Sequence, residues 1–309
     1  MDEPQPRPDR LTLLAFVVIV VLLGANFVAV RFSNRELAPF WGAGLRFGVA
    51  ALILFGVMWW RRMAWPRGQT AWGAMVYGLL NFGISYALLY WALLVVPAGL
   101  AAVIFSTLPL TTLLLASLVG LERLGWQNIS GAVVAVGGIT LIFHQTLQGN
   151  VQLGPLAAIF GAMAVGAVAS VLIKRLPQPH PVTLNAIGMS VGTVLLLIVS
   201  AMAGERVILP TLPATWLALI WLIVSAIVAF ILFVWIIVRW TASAATYALV
   251  LAPLVTVALA AWLVHERLTL SFIVGSVVVL IGAYIGTLKS RARTPVEPMT
   301  PAGPPSVDA

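Results

Sequence analysis

Arg46 is the residue of this sequence whose charge is hardest to reconcile with its neighbours. It lies seven residues into the apolar run 39–60, and a cation within such a run is costly and by default indicates a functional site. One interpretation is that its guanidinium binds the carboxylate of a small molecule. The other is that the long side chain extends to the membrane surface or caps neighbouring helix ends. The sequence favours neither interpretation over the other.

The third apolar run carries hydrogen-bonding and aromatic side chains at helical spacing. Tyr77, Asn81 and Ser85 are four residues apart, which places them on one face of a helix. Tyr86 belongs to a neighbouring face. Because an amide inside a membrane needs a partner or water, these residues predict the amphipathic wall of a cavity that stacks on flat apolar groups and hydrogen-bonds their polar ends.

The apolar run 214–238 carries a similar set of side chains. Trp221 and Ser225 lie on the face that matches Tyr77 and Asn81, and Trp235 follows further along. We include all three in the predicted cavity wall. Tryptophans near the ends of spans more often anchor a helix at the membrane surface, and we favour that role for Trp59, Trp72, Trp91 and Trp216.

Asn26 and Ser170 are isolated polar residues in the apolar runs 11–30 and 154–173. Each is predicted to bind a solute in a cavity or to form a hydrogen bond between helices, which contributes about 0.6 kcal/mol in membranes. Pro109 and Pro253 lie in the middle of two other runs. A proline there removes a backbone hydrogen bond and kinks the helix, so both are predicted hinges, with a fixed architectural kink as the alternative.

No residue set in the sequence supports catalysis or a cofactor. The segment 188–192 matches the serine-hydrolase pattern G-x-S-x-G, but Ser190 has no base nearby in the sequence. Both this segment and 44–48 are better explained as G-x-x-x-G packing motifs. There is no cysteine and no ATP-binding loop,. We expect no catalytic residue, no metal and no cofactor.

None of the nine acidic residues falls in the middle of an apolar run. Proton relays through membranes are usually built from buried Asp, Glu or His. The hypothesis is therefore movement of solute down its gradient without an obligatory proton or sodium ion. Glu122 and Glu266, each followed by an arginine at the end of a run, are expected to form local ion pairs; a gate closed by these charges is the alternative.

The composition excludes a water-soluble protein. Hydrophobic residues make up 61% and charged residues 8%, against about 45–50% and 25% in soluble domains. A spanning helix needs about 20 apolar residues, and the continuous runs do not alternate as barrel strands do. The net charge of +8 comes from scattered basic residues, which excludes nucleic-acid binding as its cause. We expect an all-α integral membrane protein in contact with the lipid bilayer.

Ten apolar runs predict ten transmembrane helices. Their bounds are 11–30, 39–60, 69–91, 98–120, 126–143, 154–173, 182–203, 214–238, 242–264 and 270–288. Basic residues accumulate on the cytoplasmic side of membrane proteins. We expect the protein to lie in the inner (cell) membrane with both termini in the cytoplasm. In this orientation twelve basic residues lie inside and only Arg31, Arg35, Arg206 and Arg267 lie outside.

The sequence repeats itself at an offset of 144 residues. Fifteen of the 41 positions in 98–138 are identical to their partners at this offset, including Pro109 with Pro253 and the glycines at 131 and 138 with those at 275 and 282. Each half then holds five helices, and an odd number inverts the second copy in the membrane. Inverted repeats of this kind are typical of secondary transporters, whose substrate site lies between the halves.

The repeat defines the predicted organisation of the chain. A cytoplasmic tail of residues 1–10 precedes the first five-helix repeat, 11–143. A linker, 144–153, joins it to the second repeat, 154–288, and a basic, then disordered tail covers 289–309. The sequence leaves open whether the protein is a monomer or a homodimer.

Several short motifs in this order resemble the drug/metabolite transporter superfamily, and more narrowly the EamA family of exporters. They are Gly-Ala-Asn-Phe-Val at 24–28, Leu-Arg-Phe at 45–47, Pro109, and the Glu-Arg pairs that close the fourth and ninth runs. The resemblance covers roughly residues 11–288. That family often has Trp before the first glycine, where this chain has Leu23. The resemblance implies export of a small molecule through a cavity open to one side at a time.

Taken together, the residues and the resemblance predict an exporter of small amphipathic metabolites, with amino acids, including aromatic ones, as the expected substrates. A carrier of nucleotide sugars, polyamines or cationic drugs in the same fold is an alternative, although doubly anionic substrates would require more cations within the membrane than Arg46 alone. An intramembrane hydrolase is a remote alternative.

Overall fold

The computed structural model describes residues 9–121, 124–146, 152–177, 180–239, 242–266 and 268–286. For 143–146, 174, 230–231, 233–239 and 242–247 it describes the backbone alone. All regular secondary structure in these ranges is helical. The first half of the chain contains α1 (Arg10–Ser33), α2 (Pro39–Trp60), α3 (Gly68–Gly78), α4 (Tyr86–Ala92), α5 (Ala98–Phe105), α6 (Leu108–Leu118) and α7 (Trp126–Thr146). The second contains α8 (Leu153–Arg175), α9 (Pro181–Met202), α10 (Pro213–Arg239), α11 (Ala242–Leu263) and α12 (Leu270–Tyr284).

Helix length and composition identify a multi-pass membrane protein. Six helical stretches within the described residues are long and apolar enough to cross a membrane: Arg10–Ser33, Pro39–Trp60, Gly68–Ala92, Ala98–Leu118, Leu153–Ile173 and Pro181–Met202. Four shorter apolar stretches are Trp126–Ile142, Pro213–Ala229, Ala248–Leu263 and Leu270–Tyr284. In lipid, a helix satisfies its own backbone hydrogen bonds, which explains why the chain adopts no other regular structure in these ranges.

Local sequence signals set where several helices begin. Asp9 precedes α1 and its carboxylate accepts a hydrogen bond from the backbone N–H of Thr12 at 2.9 Å. Thr269 performs the same role for α12 through the N–H of Phe272 at 3.2 Å. Helices α2, α9 and α10 each begin at a proline, whose missing N–H would have no helical partner in the first turn.

The third predicted helix is continuous from Gly68 to Ala92, but it is not α-helical throughout. A π-helical stretch, Leu79–Ser85, joins α3 to α4. A π turn holds one more residue than an α turn, so side chains beyond it rotate to different faces. The predicted helical run 69–91 is therefore present, and its π stretch alters the face on which residues beyond it lie.

The fourth predicted helix, 98–120, is interrupted between α5 and α6. The hydroxyl of Ser106 donates to the carbonyl of Val103 at 2.7 Å, and that of Thr107 to the carbonyl of Ile104 at 2.7 Å. Pro109 therefore lies in the first turn of α6, where its missing N–H is tolerated. Pro109 is thus near the middle of the apolar stretch Ala98–Leu118, as predicted, and beside an interruption, whereas Pro253 lies inside the unbroken α11.

The two halves of the chain are interleaved. Helix α1 packs on α10 and α11, and α8 packs on α3, the π stretch, α4 and α6. Helix α2 packs along α9, and α7 along α12. The main apolar core lies between these pairs and includes Phe47, Tyr90, Ile104, Ile159 and Leu196.

Glycines bring α7 and α12 into backbone contact. A Cβ atom added to Gly131 would lie 2.4 Å from Cα of Gly286, and one added to Gly282 would lie 2.4 Å from N of Ala135. A Cβ added to Gly138 would lie 2.6 Å from N of Val279. Contacts move toward the start of α12 as they move toward the end of α7, so the two helices are antiparallel. Neither helix has room for a side chain at these positions.

Gly138→Ala is expected to destabilise the protein, because its methyl group would collide with the backbone of α12 and force the helices apart. Overpacking of this kind costs about 1–3 kcal/mol. Gly137→Ala is the matched control, since a Cβ at Gly137 has nothing within 4 Å and alanine favours a helix over glycine by about 1 kcal/mol. Thermal unfolding in detergent should show a lower midpoint for Gly138→Ala alone; equal midpoints would contradict the contact.

Candidate functional site

A cavity of about 190 Å³ lies among α1, α2, the π stretch, α4, α5, α6, α8 and α11. Both halves of the chain contribute to it. Its polar lining residues are Asn26, Arg46, Asn81, Ser85, Tyr86 and Ser106. Its apolar lining residues are Leu23, Phe27, Val30, Leu89, Ala102, Phe105, Leu108, Gly166, Leu249, Ala252 and Pro253. Pockets for drug-sized molecules are larger, about 300–1,000 Å³, so this cavity suits a small metabolite.

A larger open groove of about 550 Å³ lies at the loop that follows α2. Trp59, Trp60 and Trp65 line it and are 85%, 74% and 64% exposed. Tryptophans that face outward at a helix end behave as membrane-surface anchors, which agrees with the role favoured above for Trp59. We therefore place the candidate site in the inner cavity, where polar groups converge.

The cavity brings together about half of the residues predicted from the sequence. Asn26, Arg46, Asn81, Ser85, Tyr86 and Pro253 line it. Tyr77 and Ser225 lie one hydrogen bond behind lining residues. Ser170, Trp221 and Pro109 do not line it, and the side chain of Trp235 lies outside the described residues. Whether any of them binds a substrate stays a prediction.

Arg46 is buried, with 2% of its surface exposed. Its Nε donates to the backbone carbonyl of Leu222 at 3.1 Å, and one terminal nitrogen donates to the hydroxyl of Tyr90 at 3.4 Å. The guanidinium carbon lies 4.9 Å from the ring centre of Phe47 and 5.5 Å from that of Tyr86. Arg46 therefore contacts a helix carbonyl and aromatic faces at the cavity wall and does not extend to the membrane surface.

The charge of Arg46 is compensated only in part. No described carboxylate lies within 4.0 Å of it, and a buried charge left without a counter-ion costs several kcal/mol. Aromatic faces recover about 0.5–2 kcal/mol each at most. A guanidinium has five N–H donors, and the hydrogen bonds to Leu222 and Tyr90 use one from Nε and one from a terminal nitrogen. Among the described residues, no further acceptor is bonded to its remaining donors.

The amides of the cavity wall have protein partners of different kinds. Asn81 donates from Nδ2 to the hydroxyl of Tyr77 at 3.3 Å. The carboxamide oxygen of Asn26 accepts a hydrogen bond of 2.7 Å from the hydroxyl of Ser225, which links α1 to α10. The hydroxyl of Ser85 donates to the carbonyl of Ala162 in α8 at 2.7 Å. These bonds orient the polar groups that face the cavity.

Two of the predicted site residues contact other parts of the protein and do not line the cavity. Ser170 donates to the carbonyl of Gly166 one turn earlier in its own helix, at 2.8 Å. Trp221 packs between two apolar clusters, and its buried indole N–H has no hydrogen-bond partner among the described residues. The sequence could not separate these residues from the cavity wall, because a helical face can contact either the cavity or a neighbouring helix.

Sequence reasoning missed an aromatic pair at the cavity. The rings of Phe27 and Phe105 meet edge to face with centres 5.6 Å apart, and both line the cavity. Phe27 was adjacent to a predicted residue, Asn26. Phe105 could not be found by spacing, because its position follows from the interruption after α5. Gly166 was also missed, because a glycine has no side chain whose chemistry could indicate a binding site.

Three carboxylates tie the halves together at the end of the molecule where α1 terminates. Glu205 accepts hydrogen bonds from the backbone N–H groups of Phe40 and Trp41, at 3.2 and 2.8 Å, at the start of α2. Glu36 accepts from the N–H groups of Thr211 and Leu212, at 3.1 and 2.9 Å, just before α10. Each carboxylate complements the positive end of a helix dipole.

Glu266 forms the third of these ties. It accepts from the N–H groups of Ala98 and Gly99, at 2.8 and 3.3 Å, at the start of α5. It also lies 3.9 Å from Arg31, which donates to the carbonyl of Val96 at 2.9 Å. Glu266 therefore joins α1, α5 and α11, beyond the local pairing expected from the sequence. Glu122, its predicted counterpart, lies outside the described residues.

An all-helical, membrane-spanning chain folded around a small, partly polar cavity defines a multi-pass membrane protein that can enclose a solute. Its sequence matches the EamA-like transporter family over residues 10–144 and again over 152–288. The chain belongs to the EamA-like transporter family.

Relatives of this chain carry transporter names. It is 22% identical to the uncharacterized transporter YoaV of Bacillus subtilis, with 91% of this chain and 98% of the relative covered. It is 25% identical to a probable amino-acid metabolite efflux pump of Escherichia coli, with 91% and 96% covered. It is 29% identical to the uncharacterized inner membrane transporter YedA of Escherichia coli, with 62% of each covered.

The fold is also found among solved structures. A crystal structure of a protein superimposes with a TM-score of 0.60 and 18% sequence identity, and it covers 91% of this chain and 98% of that one. At this identity the likeness concerns the fold alone.

The surroundings of Glu36 are expected to make the stability of the folded protein depend on pH. The hydrogen bond from the Thr211 side chain, with further ones from the backbone N–H groups of Leu212 and Thr211, lowers the pKa of Glu36 from 4.5 to about 2. A lowered carboxyl pKa stabilises the folded state above pH 4.5, and this contribution is lost as the pH falls toward 2. Glu36→Gln should therefore lower the unfolding midpoint near neutral pH, and its difference from the wild type should shrink below about pH 4.

Thermal unfolding of both proteins in detergent between about pH 7 and pH 3 checks this expectation. Thr211→Val removes the main cause of the lowered pKa and is expected to reproduce part of the effect. A midpoint difference between wild type and Glu36→Gln that does not change with pH would contradict the assignment.

Proposed function

We propose that this protein exports small amphipathic metabolites, with amino acids as the expected substrates, across the cytoplasmic membrane by alternating access. The observation that carries the proposal is the cavity that the buried Arg46 lines together with the aromatic residues Phe27, Tyr86 and Phe105. A guanidinium suits a carboxylate and aromatic faces suit an apolar side chain. An amino acid combines both groups.

We further propose ten membrane spans arranged as two inverted five-helix repeats. The glycine contacts support this arrangement. Gly131 meets Gly282 of α12 and Gly286 just beyond it, and its repeat partner Gly275 meets Gly138 and Ile142 of α7. These two sets of contacts exchange under the 144-residue offset, and the helices are antiparallel, as a twofold axis in the membrane plane requires.

The packing of whole helices also supports a twofold relation between the two halves of the chain. Helix α1 packs on α10 and α11, and its partner α8 packs on the helices equivalent to those two in the first half. The distribution of basic residues along the sequence supports both termini in the cytoplasm. In that orientation the ties through Glu36, Glu205 and Glu266 lie at the outer end.

The size and charge of the cavity favour amino acids over the larger substrates considered above. A volume of about 190 Å³ is below the range for drug-sized ligands. Arg46 is the one cation among the described lining residues, whereas a nucleotide sugar carries two phosphate charges. The name of the Escherichia coli relative, a probable amino-acid metabolite efflux pump, also favours this substrate class.

Gly166→Leu is expected to abolish transport, because a leucine at this position would fill the cavity. A Cβ at Gly166 would lie 3.6 Å from the hydroxyl of Ser85 and 3.7 Å from Leu108. The Cβ atom of a leucine therefore fits, and the rest of its side chain would occupy the cavity. Ala164→Leu is the matched control, since Ala164 lies on the exposed face of the same helix.

The measurement is counterflow of labelled phenylalanine and threonine into proteoliposomes loaded with unlabelled amino acids. Wild type and Ala164→Leu should show saturable counterflow, and Gly166→Leu should show less than about a tenth of it, a loss of the size that follows from excluding a substrate by more than 1.4 kcal/mol. Transport by well-folded Gly166→Leu at the wild-type rate would place the pathway elsewhere.

We also propose that transport needs no proton or sodium gradient, because no described carboxylate lines the cavity and buried Asp, Glu or His residues usually carry such coupling. Export of a neutral amino acid at zero membrane potential is expected to continue at an unchanged rate after a protonophore is added. Collapse of export under these conditions would overturn the uncoupled mechanism and direct attention to Glu266.

A further inference from the structure

The described residues that line the cavity carry positive charge and no negative charge. Arg46 is the only charged side chain among the described residues that line it. A zwitterionic amino acid brings one negative and one positive group, so the cavity offers a counter-charge for the first and none for the second. This asymmetry bears on which end of the substrate is recognised.

We propose that the site selects organic monocarboxylates through Arg46 and does not require an amino group on the substrate. The inference rests on the proposed transport function and specifies its substrate class. Carboxylates that lack the amino group, such as phenylpropionate, should then compete for the site about as well as phenylalanine does, and amines that lack the carboxylate should not.

The geometry of Arg46 supports recognition of the carboxylate. The side chain is 2% exposed, and its bonds to Leu222 and Tyr90 occupy Nε and one terminal nitrogen. The bond to the Tyr90 hydroxyl, at 3.4 Å, is long for a charged donor, whose hydrogen bonds are about 2.7–2.9 Å. The planar guanidinium is therefore held in place by groups that leave its charge largely unpaired, and a carboxylate can accept two parallel hydrogen bonds from it.

The described lining residues offer an ammonium group no carboxylate. Its partners would be neutral groups, such as the carboxamide oxygens of Asn26 and Asn81, and that of Asn26 already accepts a bond from Ser225. The Tyr86 ring, an aromatic face that an ammonium group would otherwise use, is already within 5.5 Å of the Arg46 guanidinium. Like charges at such short range repel, so an amino group contributes little to binding here.

The first test uses the wild-type protein and three analogues of phenylalanine that lack its amino group, its carboxylate charge or its whole carboxyl group. Phenylpropionate, phenylalaninamide and phenethylamine are added at increasing concentration to counterflow of labelled phenylalanine. Phenylpropionate is expected to inhibit within about threefold of unlabelled phenylalanine. The two compounds without a carboxylate should require roughly 10- to 100-fold more, the loss associated with removing a charged hydrogen bond. Inhibition by the amines at phenylalanine-like concentrations, without inhibition by phenylpropionate, would overturn the proposal.

The second test places the selectivity at Arg46. Arg46→Gln keeps a hydrogen-bonding side chain without the charge, and it should raise the half-inhibitory concentration of phenylpropionate by roughly 10- to 100-fold while leaving the weak effect of phenethylamine unchanged. Arg35→Gln is the matched control, because Arg35 also lies over an aromatic ring, that of Phe32 at 4.0 Å, but does not line the cavity. Equal inhibition by phenylpropionate in wild type and folded Arg46→Gln would overturn the assignment.

A binding measurement separates this inference from the transport function. Ligands that bind the folded state raise the unfolding temperature, whether or not they are carried across. If no solute shows counterflow, the transport proposal fails; stabilisation by phenylpropionate and phenylalanine but not by phenethylamine would still support carboxylate recognition. Stabilisation by the amine alone would contradict it. This measurement uses the wild-type protein, so it tests the proposal even if Arg46→Gln folds poorly.

Discussion

Close contact between helix backbones is the constraint on which the rest of this structure depends. Lipid is as apolar as leucine, so helices in a membrane gain little by burying leucines against each other and associate instead by packing and hydrogen bonds. In this protein several glycines lie where a neighbouring helix leaves no room for a side chain. A Cβ at Gly24 would lie 2.5 Å from the carbonyl of Ala252, and one at Gly78 would lie 2.4 Å from Gly188. These contacts fix α1 against α11 and the third helical stretch against α9, and α1, α11 and the third stretch all contribute to the cavity wall.

The polar groups of the chain follow from the same constraint. Each carboxylate at the end where α1 terminates binds backbone N–H groups of a helix from the other half of the sequence: Glu36 before α10, Glu205 at α2 and Glu266 at α5. At the cavity wall, the side chains of Asn26, Asn81 and Ser85 bind a hydroxyl or a carbonyl of a neighbouring residue. Arg46 is different, because its described contacts do not include a counter-ion. Three described carboxylates are thus bound at one end of the molecule, whereas the charge of Arg46 lies at the cavity without a carboxylate within 4.0 Å among the described residues.

The sequence predicted the helices well because each is a long apolar run, and such runs have few other structures available in a membrane. It also predicted Asn26, Arg46, Asn81, Ser85, Tyr86 and Pro253, which line the cavity. The reasoning failed where helices are irregular. The π stretch at Leu79–Ser85 brings Asn81 and Tyr86, five residues apart, to one cavity, while Tyr77 falls behind the wall. The interruption after Phe105 has no periodic signal, because Ser106 and Thr107 are acceptable within a helix as well as at its end.

The two matched halves also show that similar sequences need not adopt identical local structures. Pro109 begins a new helix, whereas its partner Pro253 lies within a continuous one. Asn26 accepts a hydrogen bond from Ser225 in the other half, whereas their repeat partners, Ser170 and Asn81, each bond within their own half. Because both differences occur in the helices around the cavity, the cavity is bounded by different contacts on its two sides. The two sides of the cavity are therefore not equivalent in this structure, although segments related by the 144-residue offset contribute to both of them.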